Sequence, residues 1–111
     1  MLAFDVLRDP VRRRIVELLA EEELCSGDVV HVIAKEFGIS QPAVSHQLKV
    51  LRESGFASVR TDAQRRIYEL NPEPFEGIEE WLEKIRGFWD HKLNALETEV
   101  ARGKRQRKSK K

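Results

Sequence analysis

The sequence predicts a mostly α-helical fold that carries one β-hairpin, an α+β class. Two observations support this prediction. Apolar residues recur at steps of three and four along most of the 111-residue chain, which is the spacing of helices buried on one face. Residues 56–70 instead hold two short runs rich in β-forming residues around a polar turn. A chain of this length is sufficient for one small domain, predicted over residues 1–101, with a disordered basic tail over residues 102–111.

Two helices are predicted at the start of the chain. Residues 1–8 form a short helix whose apolar residues are Leu2, Phe4, Val6 and Leu7. A second helix begins with Asp9 as its cap and Pro10 in its first turn, and its buried stripe is Val11, Ile15, Leu18 and Leu19. Two roles are open for the arginines at positions 12–14 of this helix: phosphate contacts, or ion pairs with Asp5, Asp9 and Glu17.

The next two helices are separated by a short turn at residues 38–40. Ser26 is predicted to cap the third helix, which carries Val29, Val30, Ile33 and Phe37 inward. Gly38 ends it, because glycine adopts the left-handed C-terminal conformation without a Cβ clash. The fourth helix has Ser40 as its cap and an inward stripe of Val44, Leu48 and Leu51. Its outward residues are polar: Gln41, Ser45, His46 and Lys49.

The hairpin follows this helix directly, after Gly55. Residues 56–61 and 66–70 are the predicted strands, joined by a turn at 62–65. Its arginines, at positions 60, 65 and 66, suit phosphate contact, because a guanidinium pairs bidentately with phosphate oxygens. Two helices joined by a tight turn and followed by a basic hairpin predict a winged helix-turn-helix, whose second helix enters the DNA major groove.

The predicted DNA-contacting residues lie on the fourth helix and the hairpin. Gln41 can bond bidentately to adenine, and serine and histidine can contact base edges or phosphates. The full set is Ser40, Gln41, Ala43, Ser45, His46, Lys49, Arg60, Gln64, Arg65 and Arg66. Local charge supports this prediction, since residues 49–66 hold five basic residues against Glu53 and Asp62, although residues 1–101 carry 13 basic against 19 acidic.

A long last helix is predicted from about Phe75 to Val100. Its apolar residues recur at steps of three and four and form a long stripe on one face. A stripe of this size needs a second surface to cover it, which predicts a homodimer. The predicted interface combines the first and last helices through Leu2, Phe4, Ile78, Trp81, Leu82, Ile85, Phe88, Trp89, Leu93 and Leu96.

Three segments together resemble the ArsR/SmtB family of bacterial winged-helix repressors. They are LRDPVRRRIV at 7–16, ISQPAVSHQLKVLRESG at 39–55 and RRIY at 65–68, and the resemblance covers roughly residues 4–100. It implies a homodimeric repressor that binds a palindromic operator on double-stranded DNA and is released by an inducer, often a metal ion. Where members of the family usually carry glycine at the wing tip, this chain has Ala63, so a turn that needs positive φ would be strained there.

Neither metal-site pattern of that family is complete. Residues 23–30 match a cysteine-rich site but retain only Cys25, and the last helix offers Asp90, His91, Glu97 and Glu99 without a second histidine at a usable spacing. Because zinc needs about four nitrogen, sulfur or oxygen ligands, we expect no metal site and no cofactor. The inducer is unidentified, and thiol oxidation at Cys25 stays open, although four acidic neighbours disfavour a thiolate there.

These features together predict a sequence-specific DNA-binding transcriptional regulator, a homodimeric repressor or autorepressor that binds an inverted-repeat operator. The alternative is a winged protein-interaction module, although such a surface would favour aromatic and aliphatic anchors over arginines. The sequence contains no glycine-rich phosphate loop and no nucleophile with a base placed beside it, so it does not indicate an enzyme. Without a signal-peptide pattern or a membrane-length apolar run, and with one cysteine, we expect a cytoplasmic protein associated with the nucleoid through DNA.

Overall fold

Residues 3–102 are described by the computed structural model, and side chains are described for residues 3–97. The elements follow in the order α1 (Ala3–Leu7), α2 (Pro10–Glu21), β1 (Leu24–Cys25), α3 (Ser26–Phe37), α4 (Gln41–Glu53), β2 (Ala57–Asp62), β3 (Arg65–Leu70) and α5 (Glu73–Arg102). This order confirms the predicted α+β class and adds one strand, β1. The chain forms two compact units, which divide between Glu76 and Gly77. The predicted interface residue Leu2 and residues 103–111 of the predicted tail lie outside the described residues.

The helix ends follow the predicted local signals with one exception. Asp9 caps α2 by accepting from the Val11 N–H at 2.8 Å, and Ser40 caps α4 by accepting from the Ala43 N–H at 3.2 Å. Gly38 ends α3 in the left-handed conformation at φ 66°. The prediction that Ser26 caps α3 was wrong. Ser26 is the first residue of that helix, and Cys25 takes the cap position without a side-chain hydrogen bond, because residues 24–25 are extended in β1.

The core of the first unit joins all of its helices to the sheet. Its buried members are Val6, Ile15, Leu19, Val29, Ile33, Val44, Leu48, Leu51, Phe56, Ala57 and Tyr68. The inward stripe predicted for α4 is confirmed. Phe37, predicted to point inward, is 37% exposed, since it is the last residue of α3 and the chain turns away at Gly38. Phe56 is further covered by Phe75, whose ring meets it edge-to-face at 5.3 Å.

The sheet is antiparallel with the strand order β1-β3-β2. β2 and β3 pair along their whole length, from Ala57 opposite Leu70 to Asp62 opposite Arg65. β1 pairs with only the two middle residues of β3, with Leu24 opposite Tyr68 and Cys25 opposite Ile67. The hairpin of β2 and β3 is the predicted wing, and the name is used below for residues 57–70.

The turn of the wing contains one strained residue. Ala63 has φ 59°, and it is the one described non-glycine residue with positive φ. A two-residue connection with positive φ at its first position corresponds to a type II′ turn, which favours glycine there. The sequence-based expectation of strain at Ala63 is therefore confirmed.

We expect Ala63→Gly to increase the free energy of unfolding by about 1 kcal/mol, because relief of strain exceeds the added entropy of glycine in the unfolded chain. Chemical denaturation of the two proteins measures the difference. The control is Ala20→Gly at an exposed position near the end of α2, where glycine should instead lower stability by roughly 0.5–1 kcal/mol. A destabilised Ala63→Gly protein would contradict the strain at this turn.

The second unit is the rest of α5, a helix of 30 residues in all, or about 45 Å at 1.5 Å per residue. Its apolar side chains recur at steps of three and four residues, and within the described chain most of them are exposed. Phe88 is 66% and Trp89 57% exposed. The other exposed large apolar residues of this helix are Trp81, Leu82, Ile85, Leu93 and Leu96.

Candidate nucleic-acid interface

The outer face of α4 carries the polar residues predicted to contact bases. Gln41, Ser45, His46 and Lys49 are all exposed. The opposite face, with Leu48 and its neighbours in the stripe, is buried in the core. Within the described chain, the side chains of the four exposed residues form no hydrogen bond or ion pair with the rest of the protein. Ser40 is committed to capping the helix and Ala43 is half-buried, so these two predicted contacts have less free surface.

One half-buried arginine, Arg12, links α4 to α1 and α2. Arg12 of α2 donates from Nη1 to Oε1 of Gln47 on α4 at 2.7 Å and from Nε to the carbonyl of Val6 on α1 at 2.8 Å. It also donates from Nη2 to the Asp5 carbonyl at 3.2 Å, and its side chain is only 12% exposed. This arrangement holds the middle of α4 in place by a contact that lies on the side away from Ser45 and Lys49 along the helix.

The other two arginines of α2 also have partners within the protein. Arg14 donates from Nε to Oε1 of Glu36 at 2.8 Å and from Nη1 to Glu17 at 3.3 Å. The hydrogen bond and charge of Glu36 raise the pKa of Arg14 above its ordinary value. Arg13 donates to the carbonyls of Leu7 and Arg8. Of the two roles that the sequence left open, intramolecular pairing therefore describes this cluster, with Arg12 and Asp9 3.9 Å apart.

The wing arginines do not share one face of the sheet. Residues directly opposite each other on paired strands share a face, and side chains alternate along a strand. Arg60 is opposite Ile67, so it lies on the face of Arg65, whereas Arg66 lies on the face of Tyr68. Arg60 is also paired with Glu23, from Nη2 to Oε1 at 2.7 Å. The structure thus brings Arg66, and not Arg60 or Arg65, to the side that holds Tyr68.

A groove lies between α4, β3 and the start of α3. Its volume is about 390 Å³, and its lining residues are Ser26, Ser45, Leu48, Lys49, Arg52, Arg66 and Tyr68. Arg66 lies over the ring of Tyr68, with its guanidinium carbon 6.0 Å from the ring centre. Sequence reasoning gave Ser26 only the role of a helix cap, and it assigned no role in binding to Arg52 or Tyr68. The available signal for Arg52 was its position three residues after Lys49, since residues at this spacing are neighbours on a helix surface.

Within residues 3–97, no group of three or more His, Cys, Asp and Glu side chains is placed to hold a metal ion. Cys25 is half-buried at the start of α3, and His91 is exposed on α5. In the same described part of the chain, no helix combines the length and apolarity required to cross a membrane.

The chain is similar to known bacterial regulators over most of its length. Residues 9–59 match the family described as bacterial regulatory protein, arsR family. The transcriptional repressor SdpR of Bacillus subtilis is 33% identical over 71% of this chain and 83% of its own length. The HTH-type transcriptional regulator Rv2034 of Mycobacterium tuberculosis is 35% identical over 82% and 78%, respectively. Among solved structures, an ArsR family transcriptional regulator superposes with a TM-score of 0.66 at 26% identity, covering 79% of this chain and 87% of the other.

Proposed function

Because the chain belongs to the ArsR family of bacterial regulatory proteins, we propose that it is a homodimeric repressor that binds an inverted-repeat operator. The protein is a DNA-binding transcriptional regulator, a class without enzymatic activity. In the proposed complex, α4 lies in the major groove, and Gln41, Ser45 and His46 contact base edges. The wing contacts the adjacent backbone, and the protein acts in the cytoplasm on the nucleoid.

The observation that carries this proposal is the division of α4 into a buried apolar face and a free polar one. Gln41, Ser45, His46 and Lys49 have no partner within the described protein, so their donors and acceptors are available to DNA. The opposite face of this helix packs in the core, and Arg12 donates a hydrogen bond to its Gln47. A rigid helix with free hydrogen-bonding groups on its exposed face is what direct reading of base pairs requires.

We expect Gln41→Ala to weaken binding to the cognate operator by about 1–3 kcal/mol and to random duplex DNA by much less, because glutamine recognises a base and not the backbone. The operator is first selected from a pool of random duplexes with the wild-type protein. The wild-type protein and the variant are then compared on both duplexes by gel shift at the same salt concentration.

The matched control is Lys49→Ala on the same helix face. Losing a phosphate contact should weaken binding to operator and random duplex alike and reduce the log–log salt slope by about 0.9. Equal losses on both duplexes for Gln41→Ala would show that this position does not determine sequence specificity. Failure of the wild-type protein to bind any duplex would contradict the proposed function itself.

The proposed dimer rests on α5. Its exposed apolar residues recur along a helix about 45 Å long, and their steps of three and four residues produce a continuous stripe suited to a partner helix. A two-fold dimer would present two copies of α4 at a separation of about 34 Å, one turn of DNA, which is the spacing an inverted repeat requires.

A further inference from the structure

The groove between α4, β3 and the start of α3 has the composition of an anion site. Three of its seven lining residues are basic, Lys49, Arg52 and Arg66, and none is acidic. Within the described chain, none of the three forms an ion pair with a carboxylate. In contrast, Arg14 and Arg60 elsewhere on this unit are paired with glutamates. Positive charge is therefore concentrated in the groove without being neutralised by the protein.

The remaining lining residues favour an oxyanion of limited size. Leu48 and Tyr68 are almost fully buried and complete the lining without adding a negative charge. Ser26 and Ser45 add hydroxyl groups that can donate to an oxygen. The groove has a volume of about 390 Å³, and a water molecule occupies about 30 Å³ in the liquid. The groove is therefore large enough for a phosphate group together with an attached ester group or several water molecules.

Two features pre-arrange the groove. Arg66 is held over the ring of Tyr68, which limits the freedom that its guanidinium would lose on binding. Ser26 begins α3, the helix whose first turn receives no side-chain cap, whereas α2 and α4 are capped by Asp9 and Ser40. The uncapped N–H groups at a helix start add a favourable field for a negative ligand.

We propose that this groove binds one phosphate group, which accepts hydrogen bonds from Lys49, Arg52 and Arg66. The same chemistry has two sources, a phosphodiester of the DNA backbone and the phosphate of a small free molecule. With DNA as the source, the inference rests on the proposed function and adds Arg52 and Ser26 to the interface. With a free phosphate compound as the source, the groove is an effector site next to the base-contacting helix.

The first test uses the full chain without DNA, titrated with inorganic phosphate against chloride at equal ionic strength. Amide resonances of Ser26, Ser45 and Arg52 should shift saturably, with a dissociation constant on the order of 1 mM. Arg52→Gln should weaken this binding at least about tenfold, the effect of losing one charge-assisted contact. Lys35→Gln, at an exposed position in the last turn of α3, should leave it unchanged.

The second test measures the salt dependence of binding to a random duplex. Arg52→Gln should reduce the log–log slope by about 0.9 if a backbone phosphate occupies the groove, and Lys35→Gln should not. Saturable phosphate binding with an unchanged slope assigns the groove to a free phosphate compound. An unchanged slope together with no saturable shift overturns the inference.

Two further comparisons keep these outcomes distinct. Thermal unfolding checks that Arg52→Gln is folded, because Arg52 is half-buried, and Lys49→Gln at an exposed position replaces it in both tests if it is not. A wild-type protein that binds phosphate but no duplex would contradict the proposed function and leave the phosphate site standing. A protein that binds duplex DNA while failing both tests would contradict the groove alone.

Discussion

Replacing Trp89 or Leu93 with glutamate should convert the protein from dimer to monomer and abolish operator binding, although neither residue would contact DNA. Sedimentation at micromolar concentration measures the first effect, as a mass falling from twice the 12.9 kDa chain mass to that of one chain. Gel shift on the selected operator measures the second effect. Because one monomer engages only one half-site, loss of the dimer removes the contribution of the other half-site to affinity.

The physical reason is the apolar area that α5 exposes. Phe88 and Trp89 are 66% and 57% exposed. An aromatic side chain buries about 150–250 Å² when fully covered, so the exposed part of each amounts to about 90–160 Å², or about 2–4 kcal/mol at about 25 cal/mol per Å². A glutamate in this stripe would require a charge to be buried without a partner, which opposes association strongly.

His91→Glu provides the matched control for this experiment. It introduces the same carboxylate two residues from both Trp89 and Leu93, and at 100° per residue it points to the opposite side of the helix. We expect this variant to remain dimeric and to bind the operator. A well-folded wild-type protein that sediments as a monomer and still binds an inverted repeat would refute the proposed dimer.

Arg12→Ala should lower the free energy of unfolding by about 2–4 kcal/mol, a large fraction of the roughly 5–15 kcal/mol that stabilises a typical domain. The side chain is 12% exposed and donates to Gln47 and to the carbonyls of Asp5 and Val6. Its loss leaves these acceptors without their donor and removes the link between α1, α2 and α4. Chemical denaturation followed by circular dichroism measures the change.

Two variants separate the geometry of Arg12 from its charge. Arg13→Ala removes the adjacent arginine, which is exposed and donates only to loop and helix-end carbonyls, so we expect a loss below about 1 kcal/mol. Arg12→Lys keeps the charge but replaces the planar fork by a single ammonium that cannot span the same three acceptors. It should therefore recover less than half of the lost stability. Full recovery would show that charge alone accounts for the effect.

The parts of the fold that were predictable from the sequence depend on local signals. The turn before α4 is defined by Gly38 and Ser40, each acting within a few residues, and the helix that follows has a clear apolar period. β1 was not predicted, because two residues contain no period and acquire their extended form only by pairing with β3. The cap of α3 was misassigned for the same reason.

The candidate interface was predictable in composition but not in arrangement. The exposed positions of α4 follow from its helical period, so the exposure of Gln41 and Lys49 was predictable from the sequence. Which wing arginine shares a face with Tyr68 depends on strand register, and the pairing of Arg60 with Glu23 joins residues 37 positions apart. The groove around Arg52 combines three elements that are distant in sequence, so no local pattern could indicate it.

The partial cover that β1 provides divides the wing into two parts with different mechanical properties. At Ile67 and Tyr68 the middle strand has a neighbour on each side, while Arg65 and Arg66 have only β2. The middle of the wing is therefore three-stranded, and the tip is a two-stranded ribbon that can bend or fray without opening the core. Residues inserted at the turn would lengthen the ribbon and leave the three-stranded part intact. The reach of the wing can thus change independently of the stability of the fold.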